Sequence, residues 1–184
     1  MRRRRAGLST TALDGAERRL ADHLDRLIAP CSLVAGYLAI DGEMPLGLTL
    51  SRCRSRGART VLPVLDGRSM GFVEITDETP LVTRRFGLVE PAHGEPVDPM
   101  SLDAVLLPLV AFDACGNRLG MGGGFYDRCF APVAGRRAAG LPTPRLIGVA
   151  HALQRVDALR PESWDVPLDQ VVTEAGAVLA RNIR

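Results

Sequence analysis

The sequence predicts an α/β domain with a largely parallel sheet flanked by helices, and three observations predict it. Short, apolar, β-favouring runs alternate with segments of helical periodicity, the pattern of strands joined by crossover helices. No internal repeat or low-complexity linker interrupts that alternation. The length, 184 residues, suits a single domain over 1–184, large enough to bury roughly 70% of its unfolded surface.

Taken in order, Leu20, Leu24, Leu27 and Ile28 recur at helical spacing and give an amphipathic first helix ending near Pro30. Residues 31–40 are apolar and β-favouring and read as a buried strand. Pro45 suits the first turn of a second helix, which Gly57 ends. Residues 60–65 and 70–75 read as two strands joined by a turn at Asp66 and Gly67. From 76 to 101 the chain is proline-rich and reads as irregular. Residues 102–112 give the next strand, followed by a glycine-rich loop and a helix over 124–137. Residues 145–150 form another short buried strand, and a loop with Trp164 and Asp165 precedes the last strand, 170–173. Ligands of such sheets gather at the carboxyl ends of strands. The glycine loop, Asp41-Gly42-Glu43 and His151 all follow strands in this way.

Composition narrows the function classes. Hydrophobic content of 46% and a net charge of +2 describe an ordinary globular protein. No apolar run approaches the ~20 residues that span a bilayer. The N-terminus lacks the apolar stretch of a secretory leader, and Asp14 and Glu17 argue against a transit peptide. A cytoplasmic protein is expected. The basic excess concentrates in Arg2, Arg3, Arg4 and Arg5, which fits a nucleic-acid arm, a solvated helix start or a phosphate contact. With 4% aromatics, nucleic acid is not the expected partner. Cys31, Cys53, Cys115 and Cys129 are scattered without a C-x-x-C pair, so they read as free thiols.

The most informative stretch is F-D-A-C-G-N-R-L-G-M-G-G-G-F-Y-D-R, residues 112–128. Gly120, Gly122, Gly123 and Gly124 let a bulky ligand approach backbone amides closely, and a loop of this kind before a helix holds phosphates. Arg118 adds a permanent positive charge, and Asp127 is placed to hold a magnesium ion travelling with a nucleotide. The segment has no lysine and so is not a Walker A loop. Phe125 occupies the third position of a dinucleotide fingerprint, which excludes that signature too. Asp127 and Asp165 can both serve a metal; alternatively, Asp127 decorates its helix and Asp165 sets a turn before Pro167. Spacing does not choose between these. Glu43 likewise suits either a site or a solvated helix start.

Other constellations carry less. G-x-S-x-G at residues 67–71 lies between two strand-like runs and reads as a hairpin, whereas a hydrolase elbow needs a strand-to-helix turn. His23 and His93 read as surface residues, and His151 as structural.

Four motifs in register resemble one family over nearly the whole chain. They are Y-L-A-I-D-G-E (37–43), V-L-P-V-L (61–65), L-V-A-F-D-A-C-G-N-R-L-G-M-G-G-G-F-Y-D-R (109–128) and E-S-W-D-V-P-L (162–168). The chain resembles the 5-formyltetrahydrofolate cyclo-ligases, also called methenyltetrahydrofolate synthetases. The resemblance implies a three-layer α/β/α fold similar to the NagB/RpiA/CoA-transferase type. It also implies ATP- and magnesium-dependent closure of 5-formyltetrahydrofolate to 5,10-methenyltetrahydrofolate, with ADP and phosphate released. There the formyl oxygen attacks the γ-phosphate and a neighbouring folate nitrogen closes onto the activated carbon. Such chemistry needs positioning and charge neutralisation more than a protein nucleophile. By the same resemblance Arg118, Leu119, Gly120, Met121, Gly122, Gly123, Gly124, Phe125 and Tyr126 bind ATP, with Arg118 stabilising the transferring phosphoryl. Asp127 and Asp165 hold magnesium. Leu38 and Glu43 contact the folate, and Met121, Gly122, Gly123, Gly124 and Phe125 border it.

Two departures stand out. Met121, Gly123 and Phe125 replace a basic loop residue and a tyrosine pair common in the family. The family's ATP-contacting Lys and Arg on the first helix align before Met1, so either Arg2 to Arg5 substitute for them or the chain begins late. The rival readings are a non-catalytic nucleotide-, folate- or RNA-binding relative, and an enzyme acting on a phosphosugar or coenzyme A thioester.

Overall fold

Ser9 opens the first helix: its hydroxyl accepts the Ala12 amide at 3.2 Å, and α1 (Thr10–Ile28) follows. The computed structural model describes residues 4, 5, 7–84 and 89–178. Arg2 and Arg3 of the arginine cluster lie outside them. Leu20, Leu24 and Ile28 are fully buried along one stripe of α1. β1 (Leu33–Ala35) leads to α2 (Gly47–Ser55), and β2 (Arg59–Asp66) folds back on β3 (Ser69–Ile75) through the predicted tight turn. Three short strands follow: β4 (Leu81–Thr83), β5 (Val89–Pro91) and β6 (Pro96–Val97). Then come β7 (Ala104–Pro108), the hairpin β8 (Ala111–Phe112) and β9 (Arg118–Leu119), and helices α3 (Phe125–Phe130) and α4 (Val133–Ala138). β10 (Arg145–Val149), β11 (Gln170–Thr173) and β12 (Gly176–Ala177) complete the order.

Eight strands form the main sheet in the order β12-β11-β10-β7-β1-β2-β3-β6. The central five run parallel, and β12, β3 and β6 add antiparallel edges. The pleat sends alternate side chains to opposite faces. Val34, Leu62, Leu106, Ile147 and Val172 join the core under α1 and α2. Ala35, Val61, Val105, Leu107 and Val171 join the one under α3 and α4. The predicted three-layer α/β arrangement is therefore present. Among the described residues no helix is long and apolar enough to cross a membrane.

Several boundaries differ from the sequence expectation. The strand predicted over 31–40 is only β1. Gly36 still donates to the Val61 carbonyl at 3.0 Å, then the chain leaves the sheet and turns at Asp41 and Gly42, both with positive φ. The run 102–112 splits because β7 ends at Pro108, which has no N–H to continue a ladder; residues 111–112 pair with β9 outside the main sheet. The helix predicted over 124–137 breaks at Ala131 and Pro132. Pro45 precedes the Leu46 cap instead of lying in the first turn of α2. The segment read as irregular carries β4, β5 and β6, and β12 was not expected; at two or three residues each, such strands are too short to show a period.

Candidate active site

The site begins with the turn that delivers Arg118. Asp113 is 2% exposed. Its Oδ1 accepts the Cys115 and Asn117 amides at 2.8 and 3.0 Å, and its Oδ2 accepts Asn117 Nδ2 and the Leu159 amide, both at 2.9 Å. Burial would raise the pKa of this carboxyl, but the bonds from Asn117, Leu159 and Cys115 outweigh it and hold it below its ordinary value. Cys115 sits in this turn, ahead of β9.

Arg118 leaves β9 with its side chain 8% exposed. Its guanidinium pairs with Asp127 Oδ1 and donates to the Val166 carbonyl. The same Oδ1 accepts the Val166 amide at 3.1 Å. Asp127 therefore neither caps nor merely decorates α3; with Arg118 it ties the glycine loop to residues 162–167. Asp165 sets the turn foreseen for it, since its Oδ2 accepts the Glu162 amide at 2.9 Å.

Between these anchors Leu119, Gly120, Met121, Gly122 and Gly123 are exposed. Gly122 and Gly124 have φ of +88° and +61°, a region that side chains disfavour. Gly124 is the N-cap of α3, which Phe125 and Tyr126 open. With six residues α3 offers little macrodipole, so an anion here depends on loop amides and arginine side chains.

A cleft of about 590 Å³ lies against this loop, within the range of ligand pockets. Gly122, Gly123, Gly124 and Asp127 line it together with Arg68, Arg128, Trp164 and Asp165. Arg128 is fixed there by two donations to the Arg68 carbonyl, at 3.1 and 2.9 Å. Among the described residues no group of three or more His, Cys, Asp or Glu converges on a metal position. The two carboxylates that do share the cleft suit magnesium, which takes one or two carboxylates and fills its octahedron with phosphate oxygens and water.

A second group of residues follows β1 and lies within electrostatic reach of Tyr126. Glu43 is 6% exposed, and its Oε2 accepts the Ile40 amide at 3.2 Å. The Tyr37 hydroxyl donates to the Met44 carbonyl at 2.7 Å. Burial first, then the Glu43 carboxylate, push the phenols of Tyr37 and Tyr126 well above their ordinary value, so both remain protonated. Leu38 is half-buried and packs on the α1 side of the core. Arg5 is 1% exposed; its Nη1 reaches the Leu109 carbonyl at 3.1 Å, which also accepts from Gln154 Nε2 at 2.6 Å. His151 Nε2 lies 3.2 Å from the Gly42 carbonyl, and burial lowers its pKa. It pins the β10 end to the Asp41–Gly42 turn, a structural role as expected.

The structure thus gathers Arg118, Asp127, Asp165 and the glycines on one flank, and Glu43 beside Tyr126 on the other. Leu38, three residues past β1, packs against the core on the α1 side. Sequence reading missed Asp113, Tyr37, Arg68, Arg128 and Gln154 as site-building residues, and did not single out Arg5 among its neighbours. Only the Asp113 and Asn117 spacing around Gly116 carried a readable turn signal.

A glycine-loop cleft with arginines and two carboxylates, on a largely parallel sheet, marks the chain as an α/β enzyme. The chain belongs to the 5-formyltetrahydrofolate cyclo-ligase family, whose model matches residues 1–174, and is a folate-converting ligase with a nucleotide co-substrate. It is 39% identical to the 5-formyltetrahydrofolate cyclo-ligase of Escherichia coli over 145 residues, 76% of each chain. It is 34% identical to the Haemophilus influenzae enzyme of the same name over 179 residues, 94% of this chain and 92% of that one. The solved 5,10-methenyltetrahydrofolate synthetase of Aquifex aeolicus superposes with a TM-score of 0.82 at 29% identity, covering 100% of this chain and 90% of that one.

Proposed function

We propose that the chain uses MgATP to close 5-formyltetrahydrofolate to 5,10-methenyltetrahydrofolate, with the triphosphate in the glycine-loop cleft and the folate against Glu43 and Leu38. The observation that carries this reading is that the glycine loop and the helix it opens border both groups: the glycines line the cleft with Asp127 and Asp165, while Tyr126, in the first turn of α3, lies within electrostatic reach of Glu43. The transferring phosphoryl then meets the formyl group over residues 121–125. The formyl oxygen attacks the γ-phosphorus and ADP leaves. The neighbouring folate nitrogen attacks the activated carbon, the phosphate departs with the former formyl oxygen, and the ring is closed.

No protein nucleophile is needed, because both attacking atoms belong to the folate. Loop amides and Arg118 offset charge on the transferring group. Asp127 and Asp165 would hold magnesium, which supplies charge neutralisation at the phosphates. Tyr126, kept protonated, offers a hydroxyl donor and an aromatic face toward the folate, Tyr37 braces the turn by donating to the Met44 carbonyl, and Glu43 positions the folate.

The test is the absorbance of methenyltetrahydrofolate after mixing protein, 5-formyltetrahydrofolate and MgATP. Signal growth that stops on omitting ATP or on chelating magnesium is expected. Folate binding without any ATP-dependent signal would replace this reading with that of a binding module.

A further inference from the structure

Trp164 is the sole tryptophan of the chain and one of its most exposed large apolar residues, at 68%. Indole surface left in water forgoes the burial that usually holds a tryptophan in place. Here it is not carried on a free arm. The Glu162 amide donates to Asp165 Oδ2 at 2.9 Å, and the Asp165 amide donates back to the Glu162 carbonyl at 3.1 Å. The turn is tied to the glycine loop through Val166, whose amide and carbonyl meet Asp127 and Arg118. A fixed turn therefore presents an uncovered aromatic face to the cleft that Gly122, Gly123 and Gly124 also line.

Phosphate recognition gives this residue nothing to do, since an indole has one donor and no charge. A flat aromatic ligand does. Resting on the nucleotide reading above, we propose that Trp164 is the stacking platform for the nucleobase of the triphosphate. The phosphates then run inward along the glycine loop toward Asp127 and Asp165. That reading places the folate at Leu38 and Glu43, neither of which lines this cleft. Small neighbours, Ala131 and Ala134, leave room beside the indole for a ring system. Stacking on an aromatic side chain is worth about 5- to 150-fold in affinity.

Because Trp164 is the only tryptophan, its emission reports on this contact alone. Titrating the full chain with MgATP is expected to change the emission, and magnesium tripolyphosphate, which has the phosphates but no base, is expected not to. Trp164→Ala should raise the KM for ATP about 5- to 150-fold while the KM for 5-formyltetrahydrofolate stays within twofold, and Trp164→Phe should recover most of the loss. Equal emission changes with tripolyphosphate, or an unaltered KM for ATP in Trp164→Ala, would overturn the stacking role while leaving the nucleotide site intact. Absence of any MgATP binding by calorimetry in the wild type would instead remove the nucleotide reading, and the platform with it.

Discussion

Replacing Arg118 with alanine separates what the guanidinium does for the fold from what it does for turnover. The side chain is 8% exposed, and its partner Asp127 is 21% exposed, so little solvent screening discounts their pairing. Hydrogen bonds to charged groups contribute about 1.5–3 kcal/mol net, and the substitution also leaves the Val166 carbonyl without its side-chain donor. A loss of about 2 kcal/mol follows, which for a chain of this size lowers Tm by roughly 4–8 °C. The ion pair thus predicts a weakened fold. Removing one positioned donor from charge developing in a transition state costs roughly 10²–10³-fold in kcat. The assay is methenyltetrahydrofolate absorbance at saturating substrates, run well below the variant's Tm as measured by calorimetry. Arg118→Lys keeps the charge but not the two-pronged geometry and should recover part of each loss. A kcat within threefold of wild type in Arg118→Ala would refute the catalytic role, and an unmoved Tm would refute the anchoring role.

Two further perturbations follow from packing and burial. At Gly148, in β10, an added Cβ would stand 2.6 Å from Leu168 Cδ1 and 2.8 Å from Leu109 Cδ2; overpacking of this kind costs about 1–3 kcal/mol, so Gly148→Ala should lower Tm by roughly 2–12 °C, and a Tm within 1 °C of wild type would show the core yields freely there. For His151, burial holds the folded pKa below the ordinary 6.5, so as pH falls below that value the unfolded chain binds a proton that the folded one refuses, and stability drops. Tm measured between pH 7.5 and 5 should decline more steeply in wild type than in His151→Gln, and parallel declines would remove His151 as the source.

The fold was legible wherever burial imposed a period. Leu20, Leu24 and Ile28 marked α1, and the continuous apolar runs at 104–108 and 146–149 marked the central parallel strands. What escaped was set by tertiary pairing. Residues 111–112 look like a continuation of β7, and only their pairing with 118–119 takes them out of the sheet. In the site, Gly122 and Gly124 announced themselves by composition, and Asp127 and Asp165 by proximity to the loop or to Trp164. The Arg118–Asp127 pairing did not, because nine positions along the chain say nothing about which carboxylate a guanidinium will meet. Arg5 was hidden differently: among four consecutive arginines no pattern shows which one is buried against the Leu109 carbonyl.

The first turn of α3 sets two neighbours to opposite tasks. Tyr126 lies within electrostatic reach of Glu43, and Asp127 lines the cleft. With 3.6 residues per turn, consecutive side chains diverge by about 100° on a rigid backbone, so the two cannot be reoriented independently. With the folate and the nucleotide placed as proposed above, the grip on one substrate would not adjust without the other. Such linkage is reciprocal: whatever factor bound nucleotide applies to folate affinity, bound folate returns to the nucleotide. On that placement a six-residue helix, cut short by Ala131 and Pro132, would be the point that couples the two binding events.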